Sequence, residues 1–239
     1  MLRLSRKYHK WLMAFTGIQF LFWSITGVYM VSMDIHYIHG ESIVKQQKTA
    51  LNLDDIRYTI DQLAADFPNA DQISLSSLQG LPVYRFNNGE SGKVMVDAVS
   101  GKVVPPIDET SAKQIANYYY NGSTDIVSVT QMSSVSDMPA ELSPRHLPFW
   151  QIQYQGFLTP TLYVSQHSGE IVAKRHDLWR LFDWMWRFHI MDYDDGENVG
   201  NWLLFLFALF GVGAAVTGGV LTFHHVGVVK YRAIKGRTS

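Results

Sequence analysis

Two stretches of this chain are apolar and carry no charged residue. They run from Trp11 to Met33 and from Val199 to Phe223, close to the two ends of the 239-residue sequence. An α-helix of about 20 apolar residues is long enough to cross the hydrocarbon core of a bilayer. The pattern therefore predicts two transmembrane helices, at residues 11–33 and 199–223.

Between these spans, apolar and polar residues alternate in short runs, which is typical of antiparallel strands. Strands are predicted at 83–86 and 149–154, and strand–turn–strand runs at 94–104 and 162–172. The same ending occurs twice, as alternation followed by a Ser-Gly turn, although Ser165 in the second copy replaces Asp97 of the first. Each ending predicts a β-hairpin in which the glycine supplies a positive φ.

A helix is predicted before each group of strands, at Leu53–Phe67 and at Ser111–Tyr120. Asp54 and Asp55 would open the first helix, at the positive end of its dipole. The segment between the spans is therefore interpreted as two repeats, each a helix packed on a small antiparallel sheet. The predicted repeats are residues 53–104 and 105–175.

Three shorter segments join the repeats to the spans. Residues 34–52 are predicted to be membrane-proximal, and residues 192–198 to form an acidic turn. Residues 176–191 place apolar side chains at helical spacing and include three tryptophans. Tryptophan is enriched at the interface between membrane and water, so this segment is predicted to be an amphipathic interfacial helix.

The charges are distributed unevenly along the chain. Residues 1–10 and 224–239 contain basic residues and no acidic residue, whereas all 21 acidic residues lie in 34–198. Short flanks rich in Lys and Arg stay in the cytoplasm. Both tails are therefore predicted to be cytoplasmic, and the segment between the spans to lie on the other side. The first span has no small-x-small cleavage site after it, so we expect it to remain as an anchor.

Six histidines flank the two spans, with at least one at each end of each span. They are His9, His36, His39, His189, His224 and His225. Imidazole is a ligand of haem iron and of transition metals. Since the chain has no cysteine, a tight haem or metal ligand must be His, Met, Tyr or a carboxylate. This placement makes electron transfer across a membrane the leading hypothesis.

His39 and His189 are the favoured pair of haem ligands. If the first helix continues past Met33, His39 reaches the outer membrane surface, and His189 closes an aromatic slot opposite it. Two neutral imidazoles can hold a haem iron from both sides. The alternative is that both histidines bind lipid headgroups or backbone groups at the interface.

His9, His224, His225 and His36 are secondary candidates. Neighbouring helical residues point about 100° apart, so only one of His224 and His225 can face His9. This inner group would hold a second haem, form a docking point for a cytoplasmic electron donor, or belong to a basic cluster at anionic lipid. The 30 residues from His9 to His39 would extend about 45 Å as a helix. A single haem at one face of the membrane would leave most of this distance uncrossed.

Acidic residues near the outer ends of the spans form a candidate approach path for ferric iron, a hard cation that prefers oxygen ligands. They are Asp34, Glu41, Asp192, Asp194, Asp195 and Glu197. The alternative is that they serve solubility and topology.

Small residues at four-residue spacing on the second span predict close packing. Gly211, Ala215 and Gly219 would let a second copy of the chain approach to form a homodimer. Alternatively, they would make room for a porphyrin ring.

Several motifs point to a family: Lys7-Tyr8-His9-Lys10-Trp11-Leu12, Gln19, Trp23, Thr26-Gly27-Val28-Tyr29-Met30, Ile38-His39-Gly40-Glu41, Leu178-Trp179-Arg180-Leu181-Phe182-Asp183 and His189-Ile190-Met191-Asp192-Tyr193. They resemble the PepSY-associated transmembrane proteins of bacterial iron uptake, and most closely the small two-span VciB-type proteins of ferric iron reduction. Between the spans, Val83-Tyr84-Arg85-Phe86 and Val96-Asp97-Ala98-x-x-Gly101 resemble the PepSY domain.

The resemblance implies an α+β membrane protein of the bacterial inner membrane, with two transmembrane helices flanking a periplasmic domain of two PepSY-like helix-plus-antiparallel-sheet repeats. It also implies a ferric reductase with haem b. Electrons would pass from a cytoplasmic donor, reduced flavin or a flavin reductase, to periplasmic ferric iron. The ferrous product would then serve a ferrous iron transporter.

Two other functions stay open. A membrane-anchored PepSY pair would restrain a periplasmic protease, or the acidic residues would make the chain a non-redox iron chaperone. Nothing in the sequence resembles a Walker loop, a dinucleotide fingerprint or a Ser-His-Asp order. A nucleic-acid partner is not predicted.

Overall fold

The computed structural model describes residues 2–45, 51, 53–89, 92–194 and 196–235, with side chains as far as Gly227. Over these residues the chain combines α-helices with two antiparallel sheets, which confirms the predicted α+β class. It divides into two compact units. We call Met1–Met33 with Leu181–Ser239 the helical unit, and Asp34–Arg180 the sheet unit.

The helical unit is built on two long helices, α1 (Leu2–Ser32) and α6 (Trp202–Lys235). They run antiparallel, and Phe15 stacks on Phe207 with ring centroids 5.1 Å apart. Both helices are long and apolar enough to cross a membrane. In their most apolar 18-residue windows only 17% and 11% of residues are buried, unlike the core helix of a soluble domain. These helices are consistent with membrane association.

The first helix does not continue past Met33, which was the condition for His39 to reach the outer membrane surface on that helix. Helix α1 ends at Ser32, and Asp34 begins a separate short helix, α2 (Ile35–Ile38). The carboxylate of Asp34 accepts hydrogen bonds from the backbone N–H groups of His36 (2.8 Å) and Tyr37 (3.1 Å). A side chain that satisfies these otherwise unpaired N–H groups is an N-cap, and it starts a new helix there.

Helix α5 (Asp177–Ile190) confirms the predicted helix before the second span. In the sheet unit, Glu141 accepts two hydrogen bonds from the Arg180 guanidinium, at 2.8 and 3.1 Å. In the helical unit, Phe188 stacks on Phe22 of α1 with ring centroids 5.9 Å apart. The following loop folds back, because the Trp186 indole N–H donates to the Gly196 carbonyl at 2.9 Å.

The sheet unit contains two four-stranded antiparallel sheets, each with its strands in chain order. The strands of the first are β1 (Ala70–Leu78), β2 (Leu81–Asn88), β3 (Lys93–Asp97) and β4 (Val103–Val104). Those of the second are β5 (Ile126–Met132), β6 (Phe149–Tyr154), β7 (Thr161–Ser165) and β8 (Ile171–Arg175). The predicted strands are confirmed, whereas β1 and β5 were not predicted.

Each sheet follows a helix, α3 (Ile60–Asp66) and α4 (Glu109–Tyr119). The first helix was predicted to begin at Leu53, which is wrong: residues 53–55 form a separate 3-10 turn. The α-helix begins after Thr59, whose hydroxyl and backbone N–H exchange hydrogen bonds with Gln62 in a capping box.

The two sheets share a core through α4. Ile115 of this helix is buried in one cluster with Val83 and Met95 of the first sheet and Ile152 and Leu162 of the second. Helix α3 packs on the first sheet alone, in a cluster around Leu63, Tyr84 and Val96.

Both predicted Ser-Gly hairpins are present, and their glycines have positive φ, at +71° for Gly101 and +64° for Gly169. In the first turn, the Asp97 carboxylate accepts from the backbone N–H of Val99 at 2.8 Å. In the second, the Ser165 hydroxyl accepts from the N–H of Ser168 at 3.2 Å. Ser165 therefore performs the same turn-stabilising role as Asp97.

Candidate functional site

His189, near the end of α5, is held against α1 by a hydrogen bond that selects one tautomer. Its Nδ1 lies 2.9 Å from the hydroxyl oxygen of Thr26. That hydroxyl already donates its proton to the Phe22 carbonyl at 2.7 Å, so toward His189 it must accept. The proton of the neutral ring is therefore on Nδ1, and Nε2 presents a lone pair.

Two further contacts fix the position of His189. The Trp23 indole N–H donates to the His189 carbonyl at 2.7 Å. Gly27 follows Thr26 on α1, and a Cβ added there would lie 3.8 Å from His189 Cε1, an ordinary contact. We call Trp23, Thr26, Gly27 and His189 the His189 site.

His9 of α1 packs against α6 with the same tautomer. Its Nδ1 lies 3.0 Å from the Ala214 carbonyl, which can only accept, so Nδ1 carries the proton. The Thr217 hydroxyl lies 3.3 Å from the same nitrogen, and it donates to the Gly213 carbonyl at 2.9 Å. A Cβ on Gly218 would come within 2.9 Å of His9 Cε1, so only glycine leaves room for the ring. We call His9, Ala214, Thr217 and Gly218 the His9 site.

The Nε2 atoms of His189 and His9 have no hydrogen-bond partner among the residues that the structure describes. His176 of the sheet unit differs, because its Nδ1 accepts from the Trp179 N–H (3.2 Å) and its Nε2 lies 2.8 Å from the Tyr37 carbonyl. His176 thus uses both ring nitrogens structurally, whereas the hydrogen bonds of His9 and His189 within the described residues involve Nδ1 alone.

The two sites lie toward opposite ends of α1. His9 and Thr26 are 17 residues apart, which corresponds to about 26 Å along a helix. The hydrocarbon core of a bilayer is about 30 Å thick. If α1 crosses a membrane, one imidazole therefore lies toward each face.

The other predicted histidines have different surroundings. His36 is exposed and pairs with Glu41 at 3.1 Å, and this hydrogen bond raises the pKa of His36. His39 belongs to the sheet unit, ends α2 and lines a cleft there, so its pairing with His189 stays a prediction. His224 and His225 are exposed on α6.

The predicted iron-approach residues are distributed over both units. Asp34 caps α2 and Glu41 pairs with His36, as described above. Asp192 is buried and accepts from the Asn198 N–H at 2.9 Å, which closes the loop before α6. The side chains of Asp194 and Glu197 are exposed, and Asp195 lies outside the described residues. Over the residues that the structure describes, no three His, Asp or Glu side chains are grouped to hold a metal ion.

The predicted stripe of small residues on α6 faces in more than one direction. Gly211 is buried against α1, and a Cβ there would lie 3.4 Å from Phe20 Cζ. Ala215 is exposed, and Gly219 has open space where a side chain would be. Gly211 therefore serves packing within the chain, while a homodimer through Ala215 and Gly219 stays a prediction.

The sheet unit contains a cleft of about 610 Å³. Four of its lining residues are basic and one is acidic: Lys45, Arg85, Lys174, Arg175 and Glu170. We call it the basic cleft. The basic cleft could not be identified from the sequence, because its residues come from segments up to 130 positions apart.

The hydrogen-bond partners of the two histidines were also missed, although the sequence carries a signal for them. Thr-Gly pairs occur at residues 16–17, 26–27 and 217–218, and the second and third contact His189 and His9. Threonine in an apolar helix can bond its own backbone and still accept a hydrogen bond from a neighbour.

Comparison of the chain with protein-family models, with curated proteins and with solved structures finds no match. The two histidine sites and the residues around them are therefore the features of this chain that bear on its function.

Proposed function

We propose that the chain is a membrane-spanning b-type haem protein that transfers electrons from a cytoplasmic donor to ferric iron in the periplasm. The observation that carries the proposal is the hydrogen bonding of His189 and His9. A histidine that binds a metal almost always donates its other ring N–H to an oxygen acceptor, which fixes the tautomer and the ring orientation. Both rings have this arrangement, with Nδ1–H bonded and Nε2 available.

Aromatic side chains accompany His189 on α1 and α5, and in the proposal they would line an apolar cofactor. Phe22 and Phe188 stack beside the histidine, and Tyr29 lies near Phe182 with ring centroids 6.4 Å apart. When bound, haem supplies one-electron transfer between the ferric and ferrous states of its iron. The chain supplies the ligands, their orientation and apolar cover. The second imidazole ligand is predicted to be His39 at the His189 site and His224 or His225 at the His9 site. Both pairings stay predictions.

The direction of transfer follows from the charge pattern. The basic tails keep the His9 end of α1 in the cytoplasm and place the His189 end and the sheet unit in the periplasm. One molecule of reduced flavin supplies two electrons, releases two protons and converts two Fe³⁺ to two Fe²⁺. A ferrous transporter then takes up the product. In this proposal the two helix-and-sheet pairs correspond to the PepSY-like repeats.

The absorption spectrum of the detergent-purified chain, before and after dithionite, tests the proposal. We expect a haem Soret band and reduced α band, and a loss of haem in both His189→Ala and His9→Ala. His167→Ala is the matched control, because His167 is an exposed turn residue of the sheet unit. Adding ferric citrate without oxygen should re-oxidise the reduced protein and form Fe²⁺, measured with a ferrous chelator. A chain without a Soret band, or two variants with the wild-type spectrum, would refute the proposal.

A further inference from the structure

The basic cleft has a charge opposite to that of the unit around it. Residues 34–180 contain 16 acidic and 11 basic residues. Four of those basic residues line the cleft, against one of the acidic residues. The acidic one, Glu170, is paired with Arg85 at 3.4 Å. The cleft therefore retains an excess of positive charge in a unit that is negative as a whole.

Arg85 supplies charge at the base of the cleft while its donors are satisfied by the protein. It is buried, donates from Nε to the Ser168 carbonyl at 2.8 Å, and is hydrogen-bonded to the Ser76 hydroxyl. Burial lowers the pKa of this guanidinium, and the nearby Glu170 opposes that shift. Arginine stays charged under such conditions because its unperturbed pKa is so high.

Arg175 and Lys174 present charge from strand β8. The Arg175 guanidinium stacks on the Trp179 ring, 3.9 Å from its centroid, and donates to the Lys174 carbonyl at 2.9 Å. The Lys174 ammonium has no hydrogen bond or ion pair with the residues that the structure describes. Because the Arg175 guanidinium is already held by the Trp179 ring, binding an anion would cost little further side-chain entropy. Arg175 and Lys174 are therefore suited to bind an anion.

The chain before the first repeat comes close to Lys174. Gly40 has φ +69°, and a Cβ there would lie 3.3 Å from Lys174 Cγ. Lys45, five residues further on, also lines the cleft, and its ammonium lies 3.4 Å from the Tyr118 carbonyl. The Lys174 stem lies beside Gly40, and its ammonium is left for a ligand. The Lys45 ammonium donates one N–H to the Tyr118 carbonyl and has two further donors.

We propose that the basic cleft binds a small polycarboxylate and, resting on the proposed function, that its occupant is an anionic carboxylate chelate of ferric iron. Ferric iron prefers oxygen ligands, and carboxylates in excess give the chelate a negative charge. Lysine and arginine bind carboxylates through charge-assisted hydrogen bonds. A volume of about 610 Å³ lies within the usual range for small-molecule sites. Iron would therefore approach this protein as an anion, through basic residues rather than through the acidic ones.

Calorimetric titration of the full chain in detergent, at constant ionic strength and without an electron donor, tests the proposal. The probes are citrate, ferric citrate and inorganic phosphate. We expect citrate and ferric citrate to bind, and Lys174→Gln to weaken both about tenfold, the loss expected for one charge-assisted hydrogen bond. Lys113→Gln is the control with the same charge change, because Lys113 pairs with Glu109 on α4 at 2.5 Å.

The outcomes separate this proposal from the haem proposal. Citrate binding that is lost in Lys174→Gln supports polycarboxylate binding in the basic cleft, even if the protein has no haem. Wild-type chain that binds no citrate, equal weakening by Lys113→Gln, or phosphate bound as tightly as citrate would each overturn the assignment. In a protein that reduces iron, Lys174→Gln should raise KM for ferric citrate and leave kcat unchanged. Reduction of an uncharged ferric tris-hydroxypyridinone complex should not change.

Discussion

The His189 and His9 sites use the same tautomer, but they obtain it from different partners. At the His189 site the acceptor of Nδ1–H is a side chain, the hydroxyl of Thr26. At the His9 site it is a backbone carbonyl, that of Ala214, with Thr217 as a more distant neighbour. The adjacent glycine also differs, since a Cβ would lie 3.8 Å from one ring and 2.9 Å from the other. The first site therefore depends on a replaceable hydroxyl, and the second on space next to a helix backbone.

The third Thr-Gly pair shows what the pair does without a histidine. Thr16 is buried and donates to the Leu12 carbonyl at 2.8 Å, as Thr26 does to its own helix. Nothing lies within 4 Å of the position of a Cβ on Gly17. Thr16 and Gly17 are thus matched references for the threonine and the glycine of each site.

The largest expected effect comes from adding a methyl group at the two glycines. In Gly218→Ala the new Cβ would lie 2.9 Å from His9 Cε1, so the ring must shift and its hydrogen bond to the Ala214 carbonyl is strained. In the proposed haem protein, we expect this variant to lose the haem assigned to His9, measured as haem per chain. Gly27→Ala should retain its haem, because 3.8 Å is an ordinary contact.

Gly17→Ala is the control for an added methyl group on α1, and it should leave both the haem content and the folded yield unchanged. Equal haem loss in Gly218→Ala and Gly27→Ala would contradict the distinction between the two sites. So would full haem retention in Gly218→Ala.

The next effect comes from removing the hydroxyl at the His189 site. In Thr26→Val the Nδ1–H of the partly buried His189 loses its acceptor, and leaving such a donor unpaired costs about 1–3 kcal/mol. Loss of such a hydrogen bond lowers metal affinity by about 10- to 100-fold. We expect the chain to lose haem correspondingly faster to a haem acceptor such as apomyoglobin.

Thr16→Val removes the same hydroxyl from the same helix, where only the bond to the Leu12 carbonyl is lost. Its rate of haem loss should match that of the wild type. If both valine variants lose haem equally fast, the effect belongs to the packing of α1 and not to His189.

The long elements could be predicted from the sequence because each has one strong pattern of apolar residues. The spans are long apolar runs, and β6 and β7 alternate around buried residues such as Ile152 and Leu162. Strands β1 and β5 were missed because each is the first strand of its sheet, and Met132 of β5 is the one buried residue in the two strands. Their polar residues do not have to alternate, and irregular pairing interrupts both strands near one end.

The sites could be predicted only in part, for a related reason. The histidines that flank the spans are visible as a pattern, but their partners depend on which residues of α1, α5 and α6 face each other. The bond from His9 to Ala214 joins residues 205 positions apart and uses a backbone carbonyl, so no residue type marks it. His39 was placed near the membrane on the condition that the first helix continues past Met33, whereas the Asp34 cap starts a new helix there.

The smallest expected effect comes from removing the hydroxyl at the His9 site. In Thr217→Val, His9 keeps the shorter hydrogen bond to the Ala214 carbonyl and loses only the 3.3 Å neighbour. The cost should be less than about 1 kcal/mol, or roughly fivefold in haem affinity. Thr222→Val on the same helix loses only a bond to the Gly218 carbonyl and should show no change. Haem loss from Thr217→Val as fast as from Thr26→Val would show that the His9 tautomer depends on the threonine hydroxyl rather than on the backbone carbonyl.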